Sequence, residues 1–390
     1  MNVTGIIAEY NPFHNGHHYQ IKEAKKQADA VVAVMSGSFV QRGDVALYDK
    51  WVRAEAALLN GVDLVLELPV CYACATAERF AYGAVATLDA LGIVDTLCFG
   101  SESGDIRALE HAAALLLEEP PAVSEKIKRG LEAGLPFPAA RHEAFTDVVP
   151  PSLLREPNNI LALEYICALK KIKSAMKPFT IRRIGAAYHA EHSAGSIASA
   201  AAIRRMHDDG VPFDAVVPAS AMHLYCNAPT HSISRLNTAV TYLLRTASPA
   251  WLRSLPDVTE GLEHRFIQAA RQYNTFAEIA VHAKTKRYPL SRIRRILINA
   301  LLHMDKDLCR QPPGYIRVLG MTQTGTKLLA RAKNTCRLPI IIKTADYNTP
   351  EGMFQKDLLA TDIAALCAAA GGHCAGFDFK RSPIIIKNLP

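Results

Sequence analysis

Apolar runs and amphipathic stretches alternate along the first half of the chain. Four short apolar runs are typical of buried strands, and helical spacing of apolar positions follows each of the first three. The predicted strands are 4–9, 30–35, 64–67 and 96–99, and the predicted helices are 17–27, 50–60 and 75–91. This alternation predicts an α/β fold with a Rossmann-like parallel sheet covered on both faces.

The pattern changes after the fourth run. Residues 106–156 read as helices followed by a proline-rich stretch, which predicts an insertion crossing the sheet edge. A helix from 157 and an edge or fifth strand at 178–184 complete this half. The second half is mainly helical, but it also contains a predicted strand–helix–strand unit and a last apolar run. Those elements are helices at 235–247, 261–271, 275–284, 290–304 and 351–370, strands at 315–319 and 338–342 around helix 324–334, and the run 384–386.

Length and composition restrict the class of protein. A chain of 390 residues predicts two domains, with the boundary near 208–212. No apolar run approaches the ~20 residues of a membrane span. The chain enters a predicted core strand at once, which leaves no room for a signal peptide. Nine cysteines lack the spacing of a disulfide framework, so we expect a cytoplasmic protein.

One cysteine pair, Cys71 and Cys74, forms a C-x-x-C motif. A zinc site would need a second pair or histidines at matching spacing, and a redox dithiol would need its own βαβ context. Because neither is present, we predict that both thiols pack as small apolar groups near a helix start.

Charge is unevenly distributed between the halves. Residues 1–210 carry a net charge of −4, and residues 211–390 carry +11. The densest basic stretch, 284–295, has six cations and one aromatic residue, which are Lys284, Lys286, Arg287, Tyr288, Arg292, Arg294 and Arg295. Such a stretch can bind RNA phosphates and stack on an unpaired base, although it can equally be a solvated helix face. The asymmetry predicts a catalytic domain, 1–210, joined to a basic RNA-binding domain, 211–390.

The tetrapeptide His14-Asn15-Gly16-His17 follows the first strand and opens the first helix. We expect Gly16 to let the backbone approach a ligand, and the helix to direct its free N–H groups at an anion. Two imidazoles then donate hydrogen bonds to phosphate oxygens where charge builds up during attack at the α-phosphorus. The motif therefore predicts adenylyl transfer.

A second constellation opens the helix that follows the last strand of the first half. Ser199 and its neighbours can hold phosphates at the helix N-terminus, and Arg204 can neutralise departing pyrophosphate. Asn158 and Asn159 begin another helix, where they either cap it or read an adenine or ribose. Since ligands of open α/β sheets bind beyond the carboxyl ends of the strands, we place one rim of residues beside His14-Asn15-Gly16-His17. That rim consists of Glu9, Ser36, Glu67 and Gly100.

The two motifs in this order resemble the nucleotidyltransferase superfamily, whose fold is shared with class I aminoacyl-tRNA synthetases. Several segments are more closely similar to the tRNA(Met) cytidine acetate ligase family (TmcAL). They are 5–17, 36–44, 99–102, 157–161 and 183–186, all within the first 205 residues. One departure is Ala187, where a Gly is expected before Tyr188.

The resemblance implies that ATP activates acetate as acetyl-adenylate, with release of pyrophosphate. The acetyl group then acylates the exocyclic amine of the wobble cytidine of elongator tRNA(Met), at position 34, giving N4-acetylcytidine. Mg²⁺ would bridge ATP phosphates, and no residue is expected to ligate a metal. By matching position, His14, His17, Ser199 and Arg204 would be catalytic. The ATP site would comprise Ile7, Ala8, Glu9, Tyr10, Asn11, Pro12, Phe13, His14, Asn15, Gly16, His17, His18, Tyr19, Gln20, Gly100, Asn158 and Arg183.

Two alternatives stay open from the sequence. A metabolite adenylyltransferase explains both motifs equally well but leaves the basic half without a purpose. A non-catalytic RNA-binding protein on a degenerate nucleotide fold is a second alternative, against which intact His14, His17 and Arg204 argue.

Overall fold

The computed structural model describes residues 1–135, 137–146, 148–183, 197–259, 261–286, 288–347, 349, 352–369 and 372–387. Its strands are β1 (Val3–Ala8), β2 (Ala30–Ser36), β3 (Phe39–Val40), β4 (Asp44–Val45), β5 (Leu64–Leu68), β6 (Thr96–Ser101), β7 (Lys177–Arg182), β8 (Ile316–Thr322), β9 (Ile340–Ile341) and β10 (Ile384–Ile386).

The helices of the first half comprise those that cover the sheet and those that lie within residues 106–156, where an insertion is predicted. They are α1 (Asn15–Lys25), α2 (Lys50–Leu59), α3 (Val70–Ala73), α4 (Ala77–Leu91), α5 (Ile106–Glu118), α6 (Pro121–Glu132), α7 (Phe137–Phe145), α8 (Pro151–Arg155), α9 (Pro157–Lys171) and α10 (Ala200–Asp208). The second half adds α11 (Ala219–Asn227), α12 (Asn237–Thr246), α13 (Pro249–Ser254), α14 (Leu262–Gln272), α15 (Phe276–Ala283), α16 (Leu290–Leu301), α17 (Gln323–Ala332), α18 (Met353–Ala365) and α19 (Phe377–Lys380).

Five parallel strands form the centre of the main sheet, in the order β5-β2-β1-β6-β7. All seven residues of β2 are fully buried, as expected for an apolar run that is covered on both faces. The strand order reverses between β1 and β6, so their carboxyl ends flank the crevice where ligands of open α/β sheets bind. The predicted Rossmann-like fold is confirmed.

The second half continues the same sheet. β8 pairs antiparallel with β5, and β9 and β10 pair parallel with β8. The predicted strand–helix–strand unit is thereby confirmed as β8–α17–β9, and the run 384–386 is strand β10. The domain boundary at 208–212 stays a prediction. Strands that precede it and strands that follow it pair in one sheet.

Buried charges fasten this extension to the first half. The Lys50 ammonium on α2 lies 2.9 Å from Glu67 Oε1 on β5 and 3.0 Å from Asp378 Oδ1 on α19. Arg317 on β8 contacts the same two carboxylates, at 3.1 and 3.0 Å. All four side chains are at most 3% exposed. Burial alone would raise the pKa of Asp378, but Lys50 and Arg317 lower it.

The cysteines carry no bridge, and all nine are free thiols. Cys71 and Cys74 are buried in the main apolar core, as predicted, and burial raises the pKa of Cys74 to about 12. Among the described residues, every helix falls short of the length and apolarity that crossing a bilayer demands.

Candidate active site

A cavity of about 300 Å³ opens at the carboxyl ends of β1 and β6. It brings together most of the site residues predicted from sequence. Those lining it are Ile7, Ala8, Glu9, Tyr10, Asn11, His14, His17, Gln20, Gly100, Asn158, Arg183, Ser199 and Arg204. A smaller cavity of about 50 Å³ shares His14 and His17 and adds Gly16 and Tyr19.

Some predicted residues lie elsewhere. Within the described ranges, Pro12, Phe13, Asn15 and His18 line neither cavity. Phe13 is instead fully buried, with its N–H donated to the Tyr225 hydroxyl at 2.9 Å. Arg287, the segment 184–188 with its Ala187 departure, and residues 195–196 before Ser199 lie outside the described residues.

His14 and His17 close the N-terminus of α1 as a reciprocal capping box. Nδ1 of His14 accepts the Gly16 N–H at 3.0 Å, and Nδ1 of His17 accepts the His14 N–H at 3.2 Å. The two rings stack with centroids 3.7 Å apart. A serine or threonine with a glutamate usually fills these two positions, so the motif also has a structural role.

The capping box fixes the protonation of both rings. A backbone N–H only donates, so each Nδ1 must be unprotonated and each neutral ring carries its proton on Nε2. Burial, followed by the charge of Arg183, lowers the pKa of His14 to about 3. Burial, the neighbouring His14 and Arg183 likewise lower the pKa of His17. Near neutral pH the pair therefore offers two Nε2–H donors and no positive charge.

Two details of α1 correct the sequence-based prediction. The N–H groups of Gly16, His17 and His18 are not free, because they are donated to Nδ1 or to the carbonyl oxygen of His14. A Cβ on Gly16 would lie 2.9 Å from Cε1 of His14. Glycine is therefore required here because a side chain would clash with the His14 ring. This contact, rather than the approach of a ligand, explains the glycine.

The start of α10 is organised differently. Ser199 caps the helix by accepting the Ala202 N–H at 3.1 Å. The N–H groups of Ala200 and Ala201, which line the cavity, are donated to no other described residue. The positive end of a helix dipole and two available donors therefore face the cavity here. Arg204, one turn further along, donates to the Asn11 carbonyl at 2.6 Å.

On the other side of the cavity, Glu102 accepts hydrogen bonds from the start of α9. Its carboxylate accepts the N–H of Asn159 at 2.8 Å and the side-chain amide of Asn158 at 2.5 Å. Nη1 of Arg183 donates to the Asn158 side-chain oxygen at 3.2 Å. The start of α9 is thus capped by the protein itself, and the Asn158 amide orients Arg183 at the cavity.

All four residues of the predicted rim lie at the carboxyl ends of parallel strands, but of these four only Glu9 and Gly100 line the cavity. Glu67 belongs to the buried ion cluster with Lys50, and Ser36 is completely buried. Sequence reasoning also missed the apolar wall of the cavity and the loop after β2, residues 37–49, which contains the short strands β3 and β4. The missed residues are Gln41, Arg42, Phe80, Phe99, Pro157, Leu161, Tyr165, Ala200 and Ala201. Gln41, Arg42, Phe99, Pro157 and Leu161 fall within segments of family resemblance, which is the signal that marked them.

Three of the predicted RNA-binding arginines are engaged within the protein. Arg292 donates to the Asp257 carbonyl at 2.7 Å and lies over the Tyr288 ring. Arg294 pairs with Asp44 at 2.5 Å. Arg295 is buried, and its Nη1 donates to the Gln41 carbonyl at 3.3 Å.

The two lysines of the same stretch differ from the arginines, because Lys284 and Lys286 are exposed. The role of all five residues in RNA binding stays a prediction.

The cavity offers little to a metal ion directly. Glu9 is its one carboxylate among the described residues, beside three arginines, Arg42, Arg183 and Arg204. Nowhere in the described part of the chain do three His, Cys, Asp or Glu side chains converge as metal ligands would. A Mg²⁺ ion would fit here only when bound by the phosphates of a nucleotide.

Comparison with known proteins places this site in a family. The model of the HIGH Nucleotidyl Transferase family matches residues 1–373. The chain is 43% identical to the tRNA(Met) cytidine acetate ligase of Thermoanaerobacter sp. (strain X514), over 97% of this chain and 98% of that protein. It is 44% identical to the enzyme of the same name from Caldanaerobacter subterraneus subsp. tengcongensis, over 94% and 95%.

Solved structures agree with these relatives. Thermotoga maritima TmcAL bound with alpha-thio ATP superimposes with a TM-score of 0.90 at 31% identity, covering both chains fully. The apo form of the same protein gives a TM-score of 0.91. With this fold, this cavity and these relatives, the chain belongs to the tRNA(Met) cytidine acetate ligase family of HIGH nucleotidyl transferases.

Proposed function

We propose that this protein is an ATP-dependent ligase that joins acetate to the wobble cytidine, position 34, of elongator tRNA(Met). An acetate oxygen attacks the α-phosphorus of ATP, giving acetyl-adenylate and pyrophosphate. The exocyclic amine of the cytosine then attacks the acetyl carbon, forming N4-acetylcytidine and releasing AMP. Both ATP and tRNA are cytoplasmic substrates, so the cytoplasm is the proposed location.

The observation that carries this proposal is the pair of neutral imidazoles at the cavity. Their Nε2–H groups can donate hydrogen bonds to the α-phosphate oxygens, and such bonds strengthen as charge develops during attack. Charge on the departing pyrophosphate is balanced by Arg204 and by the available N–H groups at the start of α10. Arg183, oriented by Asn158, adds a third positive partner for the nucleotide.

Mg²⁺ belongs to the proposal as a companion of ATP. Bound to the phosphates, it would neutralise part of their charge. What supports this arrangement is that, among the described residues lining the cavity, Glu9 is the one carboxylate beside three arginines. The protein's contribution is therefore to orient the nucleotide and to hold the leaving group.

The tRNA is proposed to lie against the basic half of the chain. Residues 211–390 carry a net charge of +11, and Lys284 and Lys286 are exposed within the densest basic stretch. Phosphate contacts of this kind position a nucleic acid but do not read its sequence.

Acetate-dependent exchange of labelled pyrophosphate into ATP tests the first step, and transfer of labelled acetate to tRNA(Met) tests the second. We expect exchange only with acetate, and label at the N4 position of the wobble cytidine by mass analysis of nucleosides. Exchange or AMP transfer with a small phosphorylated metabolite would instead identify a metabolite adenylyltransferase. Absence of both reactions, with tRNA binding intact, would indicate a binding protein.

A further inference from the structure

Glu9 carries a charge that opposes the binding of both small substrates. Among the described residues it is the one carboxylate of a cavity that, under the proposed function, receives a triphosphate and an acetate ion. Its charge repels both anions and partly cancels the attraction of Arg42 and Arg204. A glutamine of the same shape would bind these anions better. The carboxylate must therefore serve a later step or the positioning of the loop it touches.

The carboxylate is held by one oxygen and leaves the other available. Oε1 accepts the Gln41 N–H at 2.8 Å, from the loop after β2. In the described part of the chain, no hydrogen bond to Oε2 is formed. The hydrogen bond from the Gln41 backbone to Oε1 orients the carboxylate at the end of β1. Oε2 accepts no hydrogen bond from the described residues and is available to a substrate.

An apolar wall adjoins this carboxylate. Phe80, Phe99, Leu161 and Tyr165 line the same cavity as Glu9, and the Phe99 and Tyr165 rings lie 5.7 Å apart. Burial, and then the charge of Glu9, raise the pKa of the Tyr165 phenol. Flat apolar side chains next to a carboxylate suit a cytosine, because its ring stacks on aromatic groups and its exocyclic amine donates to carboxylates.

We infer that Glu9 is a catalytic residue of the second step, accepting the proton of the cytosine amine as that amine attacks the acetyl carbon. This inference rests on the proposed function. The N–C bond forms, the bond between the acetyl carbon and the AMP oxygen breaks, and AMP leaves with the electron pair. The proton lost by the amine passes to Oε2 of Glu9 and from there to solvent.

The surroundings of Glu9 favour this role. Burial raises its pKa, against the lowering effects of the Gln41 N–H and of nearby arginines, and a raised pKa makes a carboxylate a better base. The titratable and charged groups that interact with it electrostatically come from the loop after β2, α2, the end of α3, α9 and α10. They are Arg42, Arg53, Cys74, Tyr165 and Arg204.

The substitution Glu9→Gln tests the inference, because glutamine retains the acceptor for the Gln41 N–H. Because Glu9 also lines the cavity, acetate-dependent pyrophosphate exchange is measured alongside transfer, and we expect transfer to fall much further than exchange does. Single-turnover transfer of acetyl to tRNA(Met) should fall by about 10²- to 10⁴-fold, the range for loss of a general base. The acidic limb of the pH profile of transfer should disappear, and Glu9→Asp should restore part of the rate.

Three outcomes would overturn the inference. Equal loss of exchange and transfer in Glu9→Gln would assign Glu9 to adenylation or to loop position alone. Unchanged transfer would remove it from the chemistry, and an unchanged acidic limb would assign proton transfer to another group. If the wild-type chain itself shows no acetate-dependent exchange, the proposed function fails first, and the inference that depends on it fails with it.

Discussion

Arg294 and Asp44 form an ion pair, with Nη2 2.5 Å from Oδ2, that fastens helix α16 to the loop after β2. Arg294 Nε also donates to the Gly43 carbonyl at 3.1 Å, and the next residue, Arg295, reaches the Gln41 carbonyl. The Gln41 N–H in turn holds Glu9. A basic helix from the second half thus sets the position of a wall of the nucleotide cavity.

Replacing Arg294 should therefore impair catalysis more than replacing its neighbour Arg292. In Arg294→Gln the loop loses its ion pair, and we expect kcat for acetyl transfer to fall by about tenfold or more, since small misplacements of reacting groups are costly. Arg292→Gln is the matched control, because it removes the same charge from the same helix, and Arg292 contacts Asp257, Thr259 and the Tyr288 ring rather than the loop that holds Glu9. Steady-state kinetics of both variants decide the matter, and equal losses would contradict a positioning role.

Gly43 should be the residue of this loop least tolerant of a side chain. Its φ is +71°, and a Cβ would lie 2.5 Å from the Arg295 backbone nitrogen. We expect Gly43→Ala to lower the free energy of unfolding by about 2–4 kcal/mol, from strained φ and overpacking together. Gly210 has a nearly equal φ of +70° but open space around its Cβ position.

The variant Gly210→Ala is accordingly the control, with an expected loss of only about 1 kcal/mol. Urea unfolding of the two variants measures the difference. Similar losses would show that contact with α16 contributes nothing.

Acid should destabilise the protein through the two motif histidines. Burial lowers the pKa of His14 to about 3 in the fold, whereas an unfolded histidine titrates near 6.5. Between these values the unfolded chain binds the extra proton, so stability falls as pH falls through that window and is unaffected by His14 above it. The slope attributable to one such histidine is about 1.4 kcal/mol per pH unit.

The substitution His14→Asn isolates this effect, because asparagine is also a good N-cap. Between pH 6 and 4, the slope of its unfolding free energy against pH should be smaller than that of the wild type by about 1.4 kcal/mol per pH unit, the contribution of one proton. The same variant should lose pyrophosphate exchange by about 10²- to 10³-fold and keep tRNA binding. Parallel pH curves would mean that His14 is protonated in the fold.

Among the described residues of the basic stretch, Lys284 and Lys286 are the exposed cations and so the most available to a nucleic acid. The double variant Lys284→Gln/Lys286→Gln should weaken tRNA binding and reduce the slope of log K against log salt by about 1.4–1.8, which corresponds to two phosphate contacts. Pyrophosphate exchange should be unaffected. An unchanged slope in filter-binding titrations would exclude these lysines from the interface.

The sequence predicted the sheet because β1, β2 and β5 are almost uniformly apolar over the length of a strand. It also predicted most of the cavity, since strand ends and helix starts in this topology must converge. It could not predict that His14 would accept hydrogen bonds from the first N–H groups of α1, because a spacing pattern does not determine the rotamer of a side chain.

Long-range partners account for the other differences. From the sequence alone, Arg294 and Arg295 are interpreted as surface charges. Their partners Asp44 and Gln41 lie some 250 residues earlier and come into contact with them only in the fold. Glu67 is likewise interpreted from the sequence as a carboxylate at the ligand-binding rim, whereas in the fold it pairs with Arg317. Identical residue types serve a surface or an interior, and only the tertiary contacts distinguish the two.

Breaking the buried ion cluster should be among the most damaging single changes. Lys50→Met leaves Glu67 and Asp378 with only Arg317 to balance them, and we expect a loss of about 3–5 kcal/mol. Lys171→Met, which removes a half-exposed pair with Glu78, should change stability little. Thermal unfolding of both variants measures the contrast, and comparable shifts would mean that water reaches the cluster.

The cluster and the continuous sheet also constrain how such a protein is inherited. A crossover between two homologous genes anywhere from codon 68 to codon 316 would separate Lys50 and Glu67 from Arg317 and Asp378, which contact them. Unless both parents already share those four side chains, the hybrid would bury mismatched charges. Where the parents differ at these positions, we expect the ATP-binding end and the basic end to be exchangeable only as a single piece.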